Sequence, residues 1–440
     1  MPKEKKEKKS AAPKIAQLLR GFKDILPAEQ PYWHYLSRTA EDFALAYGFE
    51  RIDPPILEEA GLFIRSIGKG TDIVEKEMFA FTDQGEGMVV MRPEATASIA
   101  RAYVNHGMIN QPQPVKLWYW GQMFRRERPQ SGRQRQFFQY GFEVLGENDP
   151  VVDAQVIAMT YNFYNEIGLD GVSIQVNSIG CRDCRKVYLQ ELVKYFKSKR
   201  KMLCEDCKKR LVKNPLRLLD CKKPACQFVR NDAPQIVDWL DETCRNHFMK
   251  VVEYLDEMQI SYKLNPFLVR GLDYYTNTVF EVWPKEEKEG AQSALCGGGR
   301  YNGLIELVGG RPTPAVGVAI GVERIITQMR SHEIKPPEPK MPDIFLCQIG
   351  DQAKVKAMRL FEQLRREKIV CAESFSKDSL KSQLENANKY KVKYALILGQ
   401  KEVMDGTILI RDMESGVQEI IDFNKTVNEM KKKLGLNSSN

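Results

Sequence analysis

The chain has 440 residues, 43% of them hydrophobic and 28% charged, the balance of a globular protein with room for about two to three domains. No apolar run approaches the roughly 18 residues of a membrane span, and no apolar signal core opens the chain, so the expected location is the cytoplasm. The net charge of +8 favours an acidic partner without specifying a fold. Ten cysteines, seven of them within 181–244, are then expected to be reduced, and such clustering points to metal or to plain burial.

Residues 1–12 are rich in lysine and glutamate without apolar periodicity and read as a disordered basic tail, loose contact with RNA being the alternative. From Pro31 to Tyr47 a stripe of Trp33, Leu36, Ala40, Phe43, Ala44 and Tyr47 predicts a helix stopped by Gly48, either in the core or at a subunit interface. The Phe49–Leu57 stretch that follows is broken by Pro54 and Pro55, which predicts an edge strand or a chain reversal. A short strand at Met88–Met91 meets Pro93 and opens a helix over Ala95–Tyr103. Arg92 and Glu94 fall at that junction and are expected to project into a cleft. Glu94 suits either a helix-dipole acid or the holder of an ammonium group.

Apolar runs at Val115–Met123 and Phe137–Leu145 flank a loop carrying Arg125, Arg126, Arg128, Arg133 and Arg135, with Pro129, Ser131 and Gly132 at its tip. This predicts two antiparallel strands. Guanidiniums so close together repel one another unless an anion holds them, and planar Arg forks suit phosphate, so the hairpin is either a polyphosphate or nucleic-acid site or a solvated turn.

An amphipathic helix is predicted over Asp149–Gly168 and a strand over Val172–Val176. Next come Cys181-x-x-Cys184 and, after nineteen intervening residues, Cys204-x-x-Cys207, with Cys221 and Cys226 close behind. Four thiolates from these six would match a closed, structural zinc site; six reduced thiols in a helical insertion spanning about 181–262 are the alternative. Helices are predicted at Val187–Leu203 and Phe248–Met258. Leu268–Tyr275 brings Arg270, Tyr274 and Tyr275, and glycines 297–299 permit close backbone approach without forming a phosphate loop. A proline-rich linker at 331–341 separates a second domain, 342–430, from a 431–440 tail. In that domain strands at Asp343–Ile349, Val370–Ser374, Tyr394–Gly399 and Thr407–Arg411 alternate with helices, which predicts an α/β unit with a largely parallel sheet.

Several of these runs resemble one family. Phe124-Arg125-x-Glu127-Arg128-Pro129 and its strands look like the second signature motif of class II aminoacyl-tRNA synthetases; Phe49–Leu57 resembles the first, and Gly317–Arg324 the third. LVRGLDYY at Leu268–Tyr275 and GGGRYNG at Gly297–Gly303 are similar to the histidyl branch. The resemblance implies an α+β catalytic core (residues 13–330) built on an antiparallel sheet with flanking helices. It also implies a C-terminal α/β anticodon-binding domain, and a homodimer formed through the first motif.

The implied activity is ATP-dependent formation of histidyl-adenylate from L-histidine and transfer of the histidyl group to tRNA(His), with Mg2+ on the phosphates. By the same resemblance Arg125 and Arg270 face the α-phosphate. Glu127 and Arg133 serve the bent triphosphate and the adenine edge, Phe137 stacks on adenine, and Arg324 reaches the γ-phosphate. Glu94, Ala95, Thr96, Gln139, Glu143, Tyr274 and Tyr275 would surround the histidine ammonium and imidazole. Gln134 and Phe138 depart from the family pattern, where a tyrosine and a histidine are more usual. Two rival expectations are a catalytically silent regulatory subunit of histidine biosynthesis and a zinc-dependent RNA-binding protein.

Overall fold

The computed structural model describes residues 15–436 apart from 86, 130–131, 286–293, 339–340 and 378. The basic tail at 1–12, Ser131 at the hairpin tip, linker residues 339–340 and the end of the 431–440 tail therefore lie outside the described residues. Two compact units form, Met1–Pro337 and Glu338–Asn440, dividing within the proline-rich linker.

The arginine hairpin is the longest strand pair of the first unit. Val115–Phe124 and Gln136–Leu145 run antiparallel in register from Val115 opposite Leu145 to Phe124 opposite Gln136. Their aromatic and β-branched residues fit a pleated surface buried on both sides. Around them an eight-stranded sheet takes the spatial order Glu50–Arg51, Val115–Phe124, Gln136–Leu145, Ala315–Gly321, Cys296–Arg300, Thr276–Trp283, Ser173–Ser178 and Tyr262–Leu264. Every junction is antiparallel except the outermost one at each edge. The prolines after Arg51 leave the first-motif stretch a two-residue edge strand on this sheet, as their missing donors require, and its last residue, Leu57, opens a strand of a separate three-stranded sheet.

Cys296–Arg300, the glycine run, lies in the middle of this sheet as a fully buried strand. The glycines themselves signal close backbone approach but no strand, because glycine is a poor strand former. Its last residue, Arg300, is completely buried and makes a two-point contact with the Asp153 carboxylate.

One sheet face packs on the helices Gln30–Ala46 and Pro150–Glu166, where Leu36, Ala44, Tyr140, Phe142 and Phe163 share a core. The Pro150–Glu166 helix is not amphipathic as expected. Its buried residues include the run Val156–Thr160, which takes in every side of the helix, as a helix enclosed within a large core must have. The other face is covered by the Thr96–Asn105 helix and by the insertion, and Tyr119, Leu192, Cys207, Tyr274 and Tyr301 belong to one continuous core. The insertion's helices are Arg182–Ser198, Glu205–Lys213, Pro224–Asn231 and Glu242–Glu257; the last packs instead on Pro150–Glu166, with Phe248, Val251 and Leu255 in the first core. Two start earlier than expected, because Cys181 and Asp241 serve as N-caps.

The second unit has a five-stranded sheet in the order Cys371–Glu373, Ile344–Gln348, Tyr394–Leu398, Thr407–Asp412 and Gln418–Asp422. The first two junctions are parallel and the last two antiparallel, so the sheet is mixed rather than largely parallel. Gln418–Asp422, an exposed edge strand, and the six-residue helix Gln400–Asp405 carry too little apolar pattern to be read from sequence.

Candidate active site

A cleft of about 610 Å³ opens over the centre of the large sheet. It is lined by Glu94, Thr96, Arg125, Glu127, Arg133, Phe137, Gln139, Arg270, Tyr274, Tyr275 and Arg324. Two of the expected residues stand behind its surface. Ala95 is fully buried at the start of the Thr96–Asn105 helix, and Glu143 is fully buried beneath Thr96. Arg92, expected to project into the cleft, is instead a brace: it donates to the carbonyls of Pro54 (2.6 Å) and Gln122 (3.0 Å), tying the proline stretch to the hairpin.

Strand alternation supplies one wall. Phe137, Gln139, Gly141 and Glu143 share a face. Phe138, one of the two departures from the family pattern, lies on the opposite face, edge-on to Trp33 at 4.8 Å between ring centroids, whereas Gln134 does line the cleft. Gly317 sits opposite Glu143, and a Cβ there would collide with the Glu143 carboxylate. Glu143 accepts a hydrogen bond from Thr96 Oγ1 (2.6 Å) and a short one from the Tyr301 hydroxyl. Burial pushes its carboxyl up to about 8, against those two donors. Tyr301, within the GGGRYNG run, has no signal of its own in the sequence, and this contact adds it to the site.

Glu94 caps its helix, accepting from Thr96 N (2.7 Å) and Ala97 N (3.0 Å), and burial still raises its pKa above the ordinary carboxylate value. It is therefore both the dipole acid and a carboxylate facing the cleft. Beside it, the Gln139 Oε1 is buried with no hydrogen-bond partner. A buried carbonyl oxygen without a donor is costly, and at a cleft wall it is an acceptor for an incoming N–H group.

The other wall is cationic. Arg125 donates to the Pro93 carbonyl (2.9 Å) and stacks 5.3 Å over the Phe137 ring; Arg133 meets Glu127 at 3.0 Å. Arg324 donates to the carbonyls of Ala294 and Gly132. Its pKa is lowered by burial first and then by the charges of Arg133 and Arg125, the repulsion an arginine cluster suffers until an anion arrives. Arg270 lies across the glycine strand, its guanidinium occupying the space a Cβ of Gly297 would take. It is paired at rest: Glu281, on the adjacent strand, forms a short ion pair with it, and Trp283 Nε1 donates to the other Glu281 oxygen at 3.1 Å. Burial works against the Arg270 charge, but Glu281, Tyr275 and Tyr274 together outweigh it and its pKa is raised.

The six cysteines of the insertion do not assemble as two C-x-x-C pairs on one centre. Cys204, Cys207, Cys221 and Cys226 come together, whereas Cys181 and Cys184 join Asp241 and Cys244 elsewhere.

An antiparallel sheet carrying an arginine hairpin, a buried carboxylate pocket and a glycine strand under one cleft defines the class II aminoacyl-tRNA synthetase architecture. Comparison narrows the class. The histidyl-tRNA synthetase family profile matches residues 21–325, and an anticodon binding domain profile matches 343–433. A histidine–tRNA ligase of Dehalococcoides mccartyi strain 195 is 46% identical over 94% of this chain and 99% of its own, and one from Pelotomaculum thermopropionicum is 45% identical over 94% and 97%. The apo histidyl-tRNA synthetase of S. aureus superposes with a TM-score of 0.79 at 34% identity, covering 95% of this chain and all of that one. The chain belongs to the histidyl-tRNA synthetase family. No described helix is long and apolar enough to cross a membrane.

Proposed function

We propose that this family member is a working cytoplasmic ligase that activates L-histidine with ATP and transfers the histidyl group to the 3′ end of tRNA(His). The carrying observation is the gathering of Arg125, Arg133, Arg270 and Arg324 around one cleft, beside the unpartnered Gln139 Oε1 and the Glu94 carboxylate. Cations on one wall suit a polyphosphate, and acceptors on the other suit an ammonium and an imidazole.

In the first step a histidine carboxylate oxygen bonds to the α-phosphorus as the bond to pyrophosphate breaks. Arg125 and Arg270 take up the charge that builds on the α-phosphate, a preorganised electrostatic role. Arg133 and Glu127 serve the bent triphosphate and the adenine edge, Phe137 stacks on adenine, and Arg324 reaches the γ-phosphate. Glu94 and Gln139 hold the ammonium, and Thr96, Tyr274 and Tyr275 enclose the imidazole, backed by Ala95 and by Glu143 behind the cleft surface, with Tyr301 setting Glu143. In the second step a 3′-terminal ribose hydroxyl attacks the adenylate carbonyl and AMP leaves. Glu77 and Glu127 face the cleft as hard oxygen donors suited to Mg2+, which supplies charge neutralisation when bound with ATP.

Residues 342–430 would grip the anticodon, in keeping with the matched profile. Exposed Leu45, Ile56 and Leu57 around the first-motif stretch support a homodimer through that surface. Cys204, Cys207, Cys221 and Cys226 are read as a structural zinc site. Against the silent regulatory reading stands the complete set of charged residues. Charging of tRNA(His) transcript with labelled histidine tests the proposal: accumulation of histidyl-tRNA is expected, and its absence with intact, folded protein would overturn it.

A further inference from the structure

The insertion brings metal-ligating atoms together in two places, and the second is not legible from the C-x-x-C spacing. Cys181 is the N-cap of the Arg182–Ser198 helix, and Asp241 is the N-cap of the Glu242–Glu257 helix. Cys184 and Cys244 stand three residues further along each helix. C-x-x-C and D-x-x-C thus present the same pair of positions from two helix N-termini. Their four ligand atoms all lie within 4.8 Å of one another.

The distances are those of a coordination sphere. Cys181 Sγ and Cys184 Sγ are 3.6 Å apart, and Asp241 Oδ2 lies 3.5 Å and 3.0 Å from them. A disulfide would bring the sulfurs to about 2.05 Å. One tetrahedral ion with metal–sulfur bonds of about 2.3 Å separates its sulfurs by about 3.8 Å.

The surrounding N–H groups carry the argument further. Cys184 N points to Cys181 Sγ (3.5 Å), Asp241 N to Cys184 Sγ (3.2 Å), and Asn277 Nδ2 to Cys244 Sγ (3.4 Å). Cys244 N donates to Asp241 Oδ1 (2.7 Å), which turns Oδ2 toward the sulfurs, where it accepts from the Cys181 and Cys184 thiols in the place an ion bound by their thiolates would take. Every ligand therefore receives one N–H donor, the outer support that anionic metal ligands require. Cys184 and Cys244 are buried while Asp241 is exposed, so the site is enclosed on one side and has an entry path on the other.

We propose that Cys181, Cys184, Asp241 and Cys244 bind a second zinc ion, independent of the Cys204–Cys226 tetrad. Three thiolates and one carboxylate close all four positions, so its role is to staple the first and last helices of the insertion. It also braces the end of the Leu268–Tyr275 run: Asn277, which supports Cys244, lies two residues beyond Tyr275 and pairs its backbone with Ile179 (2.7 Å) and Gly180 (2.9 Å).

Metal analysis of the full-length protein, purified without chelator, tests this. Two zinc equivalents per chain are expected. Cys207→Ser should remove one, Cys244→Ser or Asp241→Ala the other, and Asp241→Cys should keep both. Because a cysteine variant can fail to fold, the wild-type protein reconstituted with cobalt gives a second readout. Thiolate-to-cobalt charge transfer should rise until two ions are bound, with seven thiolates engaged. Saturation at one cobalt, two zinc equivalents retained in Asp241→Ala, or a Cys181–Cys184 disulfide found by mass spectrometry of alkylated protein would each overturn the proposal.

Discussion

Arg270 and Glu281 form an ion pair at the edge of the cleft, while the Arg270 Nε stays buried without a partner. The guanidinium is thus half satisfied at rest, held over the Tyr275 ring at 5.8 Å and awaiting one more acceptor. Its side chain is 21% exposed and that of Glu281 14%, so the pair is screened less than a surface bridge and more than a core one.

Glu281→Gln should leave that guanidinium without its counter-ion. A loss of about 1–3 kcal/mol in stability is expected, below the value for a fully buried broken pair because of the partial exposure. A non-hydrolysable histidyl-adenylate analogue brings a replacement anion. It should raise the melting temperature of Glu281→Gln more than that of the wild type; equal shifts would mean that Glu281 does not set the charge state of the site.

Gln139→Ala removes the orphan acceptor. A hydrogen bond to a charged group is worth about 1.5–3 kcal/mol, so the KM for histidine should rise roughly 10- to 100-fold with the KM for ATP unchanged. A rise in both constants would place Gln139 in the architecture of the cleft rather than on the amino acid.

Much of this site is readable in the sequence, for a simple reason. Charged residues on a hairpin between apolar strands have few structural excuses, so Arg125, Glu127 and Arg133 stand out. What escaped is what depends on neighbours distant in sequence. Glu281 reads as an ordinary polar strand residue until the sheet places it beside Arg270. Asp241 and Cys244 join Cys181 and Cys184 only because two helix N-termini meet. The glycine strand 296–300 contradicts local propensity, and tertiary space decides the matter: at Gly297 the Arg270 guanidinium already fills the place of a side chain. In the Pro150–Glu166 helix the exposed residues, Val151, Asn162 and Glu166, lie toward its two ends, while the middle, Val156–Thr160, is enclosed by the core, which the sequence pattern does not reveal.

Glu143 gives a pH signature. Its native pKa of about 8 lies above the unfolded value near 4.5, so the folded state holds the proton more tightly. The associated stability is fully present below pH ~4.5 and declines as pH rises through about 8. Glu143→Gln keeps the shape without the titration. Denaturant titrations at several pH values should show the difference between wild type and variant shifting in favour of the variant from acid to pH 8. A constant difference would mean that Glu143 is charged in the folded protein.

A fragment ending at Pro337, the boundary of the first compact unit, should still form histidyl-adenylate while charging tRNA(His) poorly. Undiminished charging would assign the 338–440 unit to stability instead.

ATP–pyrophosphate exchange tests whether the cationic wall and the acceptor wall act together on ATP and histidine. Exchange is expected with histidine and not with proline or threonine, by a factor of roughly 10⁴ for a site built on hydrogen bonds to its substrate. Arg270→Ala is expected to lower the exchange rate by roughly 10² to 10³, with Arg270→Lys recovering part because a point charge lacks the fork. Exchange driven equally by proline or threonine, or an Arg270→Ala rate within a few-fold of wild type, would contradict that joint action.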